Sequence, residues 1–357
     1  MYGFIYMLTI MLIIDHRIIP ARLFFLFWLT VMVCLSLSIR WTIIQSDQFL
    51  NDSDLSALVN NMHDQLGYIS YYLREPVFWF GIQFLYNIIG NSGLVIVVMD
   101  VFIFIIFYKS IVLFQIYFSK HINFHNLKYL YFGAFLIYPY VAGMHNHYRQ
   151  IMAVTIAMYA IGLTKEKTLK SILVFLISML IHNSTMLLLP ILFLLGNRNF
   201  SSNFIKILVL ALISSIFTFI FIPFFGYDGL SQILRRFSDL TVESTLNYRN
   251  LIYCYLLILA TLFVIILEYN SYRRSGHLLI VVLIYFTIIY CLSVLLFNGQ
   301  VSSRIFFLVL TPIYILIGLY IETKFKTEPT VRLIYFHISL IPLIGLKGDG
   351  LVYYFGI

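Results

Sequence analysis

A chain of 357 residues that is 61% hydrophobic and 11% charged, with a formal net charge of +8, lies far from an ordinary soluble domain, where about 45–50% of residues are apolar and about 25% charged. A water-soluble fold of this size has nowhere to bury so much apolar surface. A soluble enzyme is therefore excluded, and lipid is the expected solvent for most of the chain.

The apolar residues form blocks of about 13–22 separated by short basic or Gly/Asn/Ser punctuation, the pattern of helices that cross hydrocarbon. Spans are predicted at 1–14, 22–39, 93–108, 129–142, 150–163, 169–181, 184–196, 204–225, 251–268, 278–297, 305–320 and 333–346, about twelve in all. Several fall short of the roughly 20 residues an upright span needs, so these are expected in thin or protein-buried regions. Block 1–14 has the brevity of a signal peptide but no basic start, and Asp15-His16-Arg17 stands where a small-residue cleavage site would be; it is read as a span. Cys34, Cys254 and Cys291 all fall inside apolar spans, which assigns them to packing.

Retention of positive charge in the cytoplasm orients the chain with its amino terminus outside, leaving 15 of the 23 basic residues on inner segments. The other eight, Arg40, Arg74, Arg149, Arg235, Arg236, Arg249, Arg304 and Lys347, include seven arginines, whereas nine of the inner fifteen are lysine. Guanidinium grips carboxylate or phosphate through two parallel hydrogen bonds. As a set the outer arginines look built to hold an anion; any one of them has the alternative of snorkelling or pairing with a carboxylate such as Asp47 or Asp239.

The longest non-spanning stretch, 40–92, is net acidic, and its second part starts at Glu75-Pro76, with proline suited to a first helical turn. The run through Trp79 to Gly90 is read as a helix lying in the outer interface, or re-entrant beside a site. Asp52-Ser53-Asp54 is an Asp-x-Asp pattern but is read as an acidic solvated loop. Asp100, inside a span, is either a buried relay or a partnered carboxylate holding helices together.

Further on, His145 and His147 are spaced as metal ligands can be, but no Cys or carboxylate is near them in sequence, and no metal site is expected. Arg149 starts a helix whose Ala153 and Ala157 permit close packing, which places it at a bundle interface. His182-Asn183-Ser184 divides block 169–196 into two short spans, with His182 at the outer turn. An ionisable residue at that depth marks a functional site unless a backbone carbonyl satisfies it. Segment 226–250 adds Arg235, Arg236 and Arg249, and Arg304, like Arg149, sits where an outer loop meets a span.

Arg40 with Asp47, Glu75-Pro76 with its aromatic helix, Tyr148-Arg149-Gln150 with Ala153, Ile181-His182-Asn183-Ser184, and Ser303-Arg304 before a span form a succession that resembles the EpsG family over roughly 40–320. These are Wzy-type polymerases of exopolysaccharide, capsule and O-antigen. The family often has an aromatic residue after the first-loop acid, whereas Gln48 follows Asp47 here. The acid thus stays open between Asp47, Asp52, Asp54 and Asp64.

The resemblance implies an all-α polytopic membrane protein, a GT-C-like bundle of about twelve transmembrane helices with an outer interfacial helix. It would form one membrane domain over 1–357 in a bacterial inner membrane, its active site facing the periplasm, with 40–92 the large extracytoplasmic loop that carries the interfacial helix and 226–250 the second. The implied reaction moves a growing glycan from undecaprenyl pyrophosphate onto the terminal sugar of a new lipid-linked repeat unit, without cofactor or metal. Arg149 and Arg304 would hold the pyrophosphate, with Arg249 in support, and His182 would act as base or orienter. Glu75 and Asp47 would bind sugar hydroxyls or share the base role, Trp79 would stack on sugar, and Arg40, Arg236 and His147 complete the substrate-binding set. Expected partners are the lipid-linked donor and acceptor, membrane lipid, a chain-length regulator and a flippase, and no nucleic acid. A flippase or transporter of lipid-linked glycans would share the basic outer cavity but should show internal repeats, and none is evident. An O-antigen ligase would differ only in its acceptor.

Overall fold

The computed structural model describes residues 2–15, 17–48, 54–63, 75–118, 124–137, 140, 143–144, 147–164, 168–196, 248–268, 274–296, 299–325 and 328–344. The span expected at 204–225 lies outside the described residues, as do most of segment 226–250 with Arg235 and Arg236, and also Arg74, Asp52 and Asp64.

Among the described residues all regular structure is helical. In order come α1 (Tyr2–Ile14), α2 (Ala21–Ser46), α3 (Asp54–His63), α4 (Pro76–Ile89), α5 (Ser92–Phe118), α6 (Lys128–Gly133), α7 (Tyr148–Leu163), α8 (Thr168–Ile181), α9 (Leu189–Gly196), α10 (Tyr248–Glu268), α11 (Arg274–Leu296), α12 (Gly299–Lys324) and α13 (Pro329–Ile344). Short 3-10 turns occupy Phe124–Leu127, Ala134–Leu136 and Asn183–Leu188. Three stretches are long and apolar enough to cross a membrane: Ala21–Ser46, Ser92–Gln115 and Arg304–Lys324. Seven shorter apolar helices accompany them among the described residues, so the expected dozen spans is represented there by three full-length candidates and a set of shorter pieces.

The distribution of side chains is that of a membrane protein. Large apolar groups such as Leu23, Phe80, Phe84, Leu169, Leu259 and Ile338 face outward, while Arg40, Asp100, Gln150, Glu322 and Arg332 are buried. In lipid the outward apolar groups need no burial, whereas every polar group must find a partner inside.

At the centre α5 packs along α2 and α7, α8 runs against α7, and α12 closes on α5 and α7. On one flank α10 packs on α11 and α11 on α12; on the other, α1 contacts α6 and α13. A buried bidentate pair, Arg332 to Glu322 at 2.8 and 2.9 Å, ties α13 to α12.

Helix boundaries differ from hydropathy where a distant partner decides them. The span expected at 22–39 continues to Ser46, because Arg40 can stay inside the helix: its Nε lies 3.1 Å from Asp100 on α5, and both side chains are buried. Likewise 93–108 extends to Phe118 and takes Lys109 into the helix. The span expected at 129–142 is broken: α6 gives way to a 3-10 turn, and Ile137 is extended. Within segment 40–92 the described residues hold the end of α2, then α3 and α4, the last of these starting at Pro76.

The join between α2 and α5 is tight. Asp47 ends α2 in a left-handed conformation (φ 51°), and its Oδ1 accepts from the Ser92 N–H at 2.7 Å and from the Ser92 hydroxyl at 2.6 Å, so one carboxylate terminates one helix and opens the next. Gly93 permits the approach, since a Cβ there would lie 2.5 Å from the Ile44 backbone nitrogen. The starts of α7 and α12 lie at the same end: the Tyr148 hydroxyl is 3.4 Å from the Ile96 carbonyl near the start of α5, and Gln150 bonds the Arg304 carbonyl.

Candidate active site

At that end three short segments converge on one carboxylate. Glu75 precedes α4, and Pro76 occupies its first turn. The Glu75 side chain makes no capping bond, which leaves both oxygens for other helices. Arg149, the second residue of α7, donates from Nη1 to Glu75 Oε2 at 2.6 Å. His182, between α8 and the 3-10 turn, places Nε2 3.8 Å from Glu75 Oε1.

Four residues beyond Glu75, on the same face of α4, Trp79 lies beneath the Arg149 guanidinium, its ring centroid 5.2 Å from Cζ. Trp79 is buried. The arginine lies over the face of its ring.

Hydrogen bonding fixes the His182 ring. Its Nδ1 accepts the Ser184 N–H at 3.2 Å and lies 2.7 Å from Ser184 Oγ. A backbone N–H can only donate, so Nδ1 is the bare nitrogen and a neutral ring carries its proton on Nε2, toward Glu75. Burial, and after it the positive charges of Arg149 and Arg304, hold His182 well below the ordinary histidine range. The ring is neutral at pH 7, a hydrogen-bond donor to the site rather than a free base.

Arg304, on the sixth position of α12, is exposed. Its carbonyl accepts a 2.6 Å bond from Gln150 Nε2, so the residue next to Arg149 fixes the backbone of Arg304. His147, which precedes α7, packs its ring edge-on against Phe307 of α12, at 4.8 Å between centroids. Arg149, His182, Glu75, Trp79, Arg304 and His147 are thus brought together.

Two expected substrate ligands lie elsewhere. Arg40 is spent inside the bundle: besides Asp100 it bonds the Met144 carbonyl at 2.8 Å, and Asp100 also accepts from Ser36 at 2.7 Å and Tyr148 at 2.8 Å. With no solvent-facing donor, Arg40 is a structural tie among α2, α5 and the start of α7, and Asp100 is the partnered carboxylate of the two readings. Asp47 sits at the α2–α5 join with one oxygen committed to Ser92. Arg249 falls in the first turn of α10, and Arg236 lies outside the described residues.

Gln150 and Ser184 stand in the motifs Tyr148-Arg149-Gln150 and His182-Asn183-Ser184 but had no role of their own in the sequence reading; the structure shows Gln150 on the Arg304 carbonyl and Ser184 on His182 Nδ1. Among the described residues no three His, Cys, Asp or Glu side chains converge as a metal centre requires.

Fold and site together define a multi-helix membrane protein with an arginine, carboxylate and histidine cluster at one end of its bundle. The model of the EpsG family matches residues 54–346, and the chain belongs to that family, whose members are Wzy-type polymerases. The matched stretch contains Glu75, Arg149, His182 and Arg304 and starts after Arg40 and Asp47. No curated protein and no solved structure matches the chain. Family and architecture make it a polymerase-like membrane protein of polysaccharide biosynthesis.

Proposed function

We propose that the protein joins oligosaccharide repeat units carried on undecaprenyl pyrophosphate, in a bacterial inner membrane and on its outer face. The observation that carries this reading is the convergence of Arg149, Glu75 and His182 from three separate helical segments, with Arg304 anchored beside them through Gln150.

In the reaction an acceptor hydroxyl oxygen bonds to C1 of the sugar at the reducing end of the donor glycan. The C1–O bond to pyrophosphate breaks, and its electron pair leaves with the lipid pyrophosphate. Arg304 and Arg149 neutralise the charge that develops there. Glu75 is the base: its carboxylate accepts the hydroxyl proton as the new bond forms. His182 supplies Nε2–H, which orients Glu75 or a phosphate oxygen, and Ser184 keeps that proton on Nε2. The guanidinium groups take the place that metal ions hold in other transferases, so the reaction is metal-independent.

The test is to supply purified protein with one lipid-linked repeat unit. A ladder of longer lipid-linked chains is expected; movement of the lipid across a vesicle membrane without new glycosidic bonds would instead establish a transporter.

A further inference from the structure

A second polar group gathers at the far end of α4. The Tyr86 hydroxyl lies 3.1 Å from His63 Nδ1 and 3.5 Å from Asp47 Oδ2. His63 Nε2 is 3.4 Å from the same carboxylate oxygen and 3.0 Å from the Asp47 carbonyl. Helix capping uses Asp47 Oδ1 alone. The other oxygen, an imidazole and a phenol form a cluster open to solvent, with His63 41% and Asp47 30% exposed.

Between this cluster and the active site lies Gln83. Both its amide atoms are buried, and neither has a hydrogen-bond partner among the described residues. A buried amide without partners is costly and is rare in folded proteins. At about 100° per residue, Glu75, Trp79, Gln83 and Tyr86 fall within about 80° of one another around α4 and span roughly 16 Å along it. The opposite face carries Phe80, Phe84 and Ile88, all exposed and apolar.

We infer that the inward face of α4 is a binding track for the glycan part of the substrate, with Asp47, His63 and Tyr86 forming a subsite for a sugar remote from the bond being made. This rests on the glycan-transfer reading above. Sugar hydroxyls both donate and accept, which matches the amide of Gln83 and the mixed donors and acceptors of the cluster. The Asp47 carboxylate disfavours phosphate there, so the ligand is the hydroxyl-rich part of the molecule and the anion belongs to the arginine end.

The probe is the free oligosaccharide released by mild acid from the lipid-linked repeat units that accumulate in cells lacking this protein. Its binding to the purified full chain is measured by calorimetry, beside the KM for the intact lipid-linked unit. His63→Gln and Tyr86→Phe are each expected to weaken binding and raise KM about three- to tenfold, the effect of one lost hydrogen bond. Gln83→Leu should weaken binding similarly while raising Tm, because it removes a partnerless amide. Absence of binding by the unaltered protein overturns the track, as does unchanged affinity and KM in all three variants, or a lower Tm with unchanged binding in Gln83→Leu. If those results come with normal ladder formation, the track falls and the polymerase reading stands. If the oligosaccharide binds as expected and no ladder forms, the polymerase reading falls and the track stands.

Discussion

Glu75 and Arg149, 74 positions apart in the chain, meet at 2.6 Å across the starts of α4 and α7. Arg149 is held from below by the Trp79 ring and from the side by the carboxylate, so its orientation is set before any substrate arrives. Lysine keeps the charge but offers neither a planar fork nor the same stacking. Arg149→Lys should therefore lower kcat for chain growth by about 10²–10³-fold, with the protein still inserted in the membrane. Loss below tenfold would mean that the residue acts as a simple charge anchor.

His182 supplies a pH dependence. Its folded-state pKa is depressed, first by burial and then by the neighbouring arginines. As pH falls through the ordinary histidine value near 6.5, the unfolded chain takes up a proton before the folded one does. The stability tied to the neutral ring is present above that value and is lost as pH falls toward the folded pKa. Thermal unfolding in detergent between about pH 8 and pH 5 should show Tm falling on acidification, and less steeply in His182→Asn. An identical slope in the variant would place the titrating group elsewhere.

The buried Arg40–Asp100 pair predicts a different outcome, loss of the fold rather than of chemistry. Asp100→Leu leaves a buried guanidinium without its carboxylate and should cost about 3–5 kcal/mol, whereas Arg40→Met combined with Asp100→Leu should recover most of it. Thermal stability of the two variants checks this. Asp100→Leu with full stability and no chain growth would reinstate Asp100 as a relay.

How much of this was legible beforehand varies by residue. Uncharged runs and Pro76 marked α1, α4 and α8 closely, because a helix in lipid is announced by its own composition. Glu75, Arg149, His182 and Arg304 were each visible as polar residues at the edges of apolar blocks. Their pairing was not, since contacts 74 or 154 positions apart leave no local trace. Arg40 misled for the same reason: its partner lies 60 residues on, and hydropathy alone ends the span where the charge begins. Trp79 was expected to stack on sugar; that its ring is buried beneath Arg149 left no trace, because an aromatic in an apolar helix gives no sign of which face is covered. Gln83 and Tyr86 could have been found by following the helical steps of four, four and three residues from Glu75.

Charge neutralisation by arginine makes a further prediction. On the proposal that guanidinium groups neutralise the leaving pyrophosphate, chain growth by the purified protein should persist, within about twofold, after dialysis against excess chelator. Loss of the ladder with recovery on adding magnesium would contradict the assignment of that role to Arg149 and Arg304.

The central claim, that Glu75 with Arg149 and His182 forms glycosidic bonds at the expense of a lipid pyrophosphate, is tested most directly by counting both products in one reaction. Purified protein is given lipid-linked repeat units, and new glycosidic bonds and released undecaprenyl pyrophosphate are quantified together for the unaltered chain and for Glu75→Gln. The account predicts one pyrophosphate released per bond in the unaltered protein, and a fall of about 10²–10⁴-fold in both in the variant. Bond formation at an undiminished rate in Glu75→Gln, or pyrophosphate release without bonds in the unaltered protein, would contradict it.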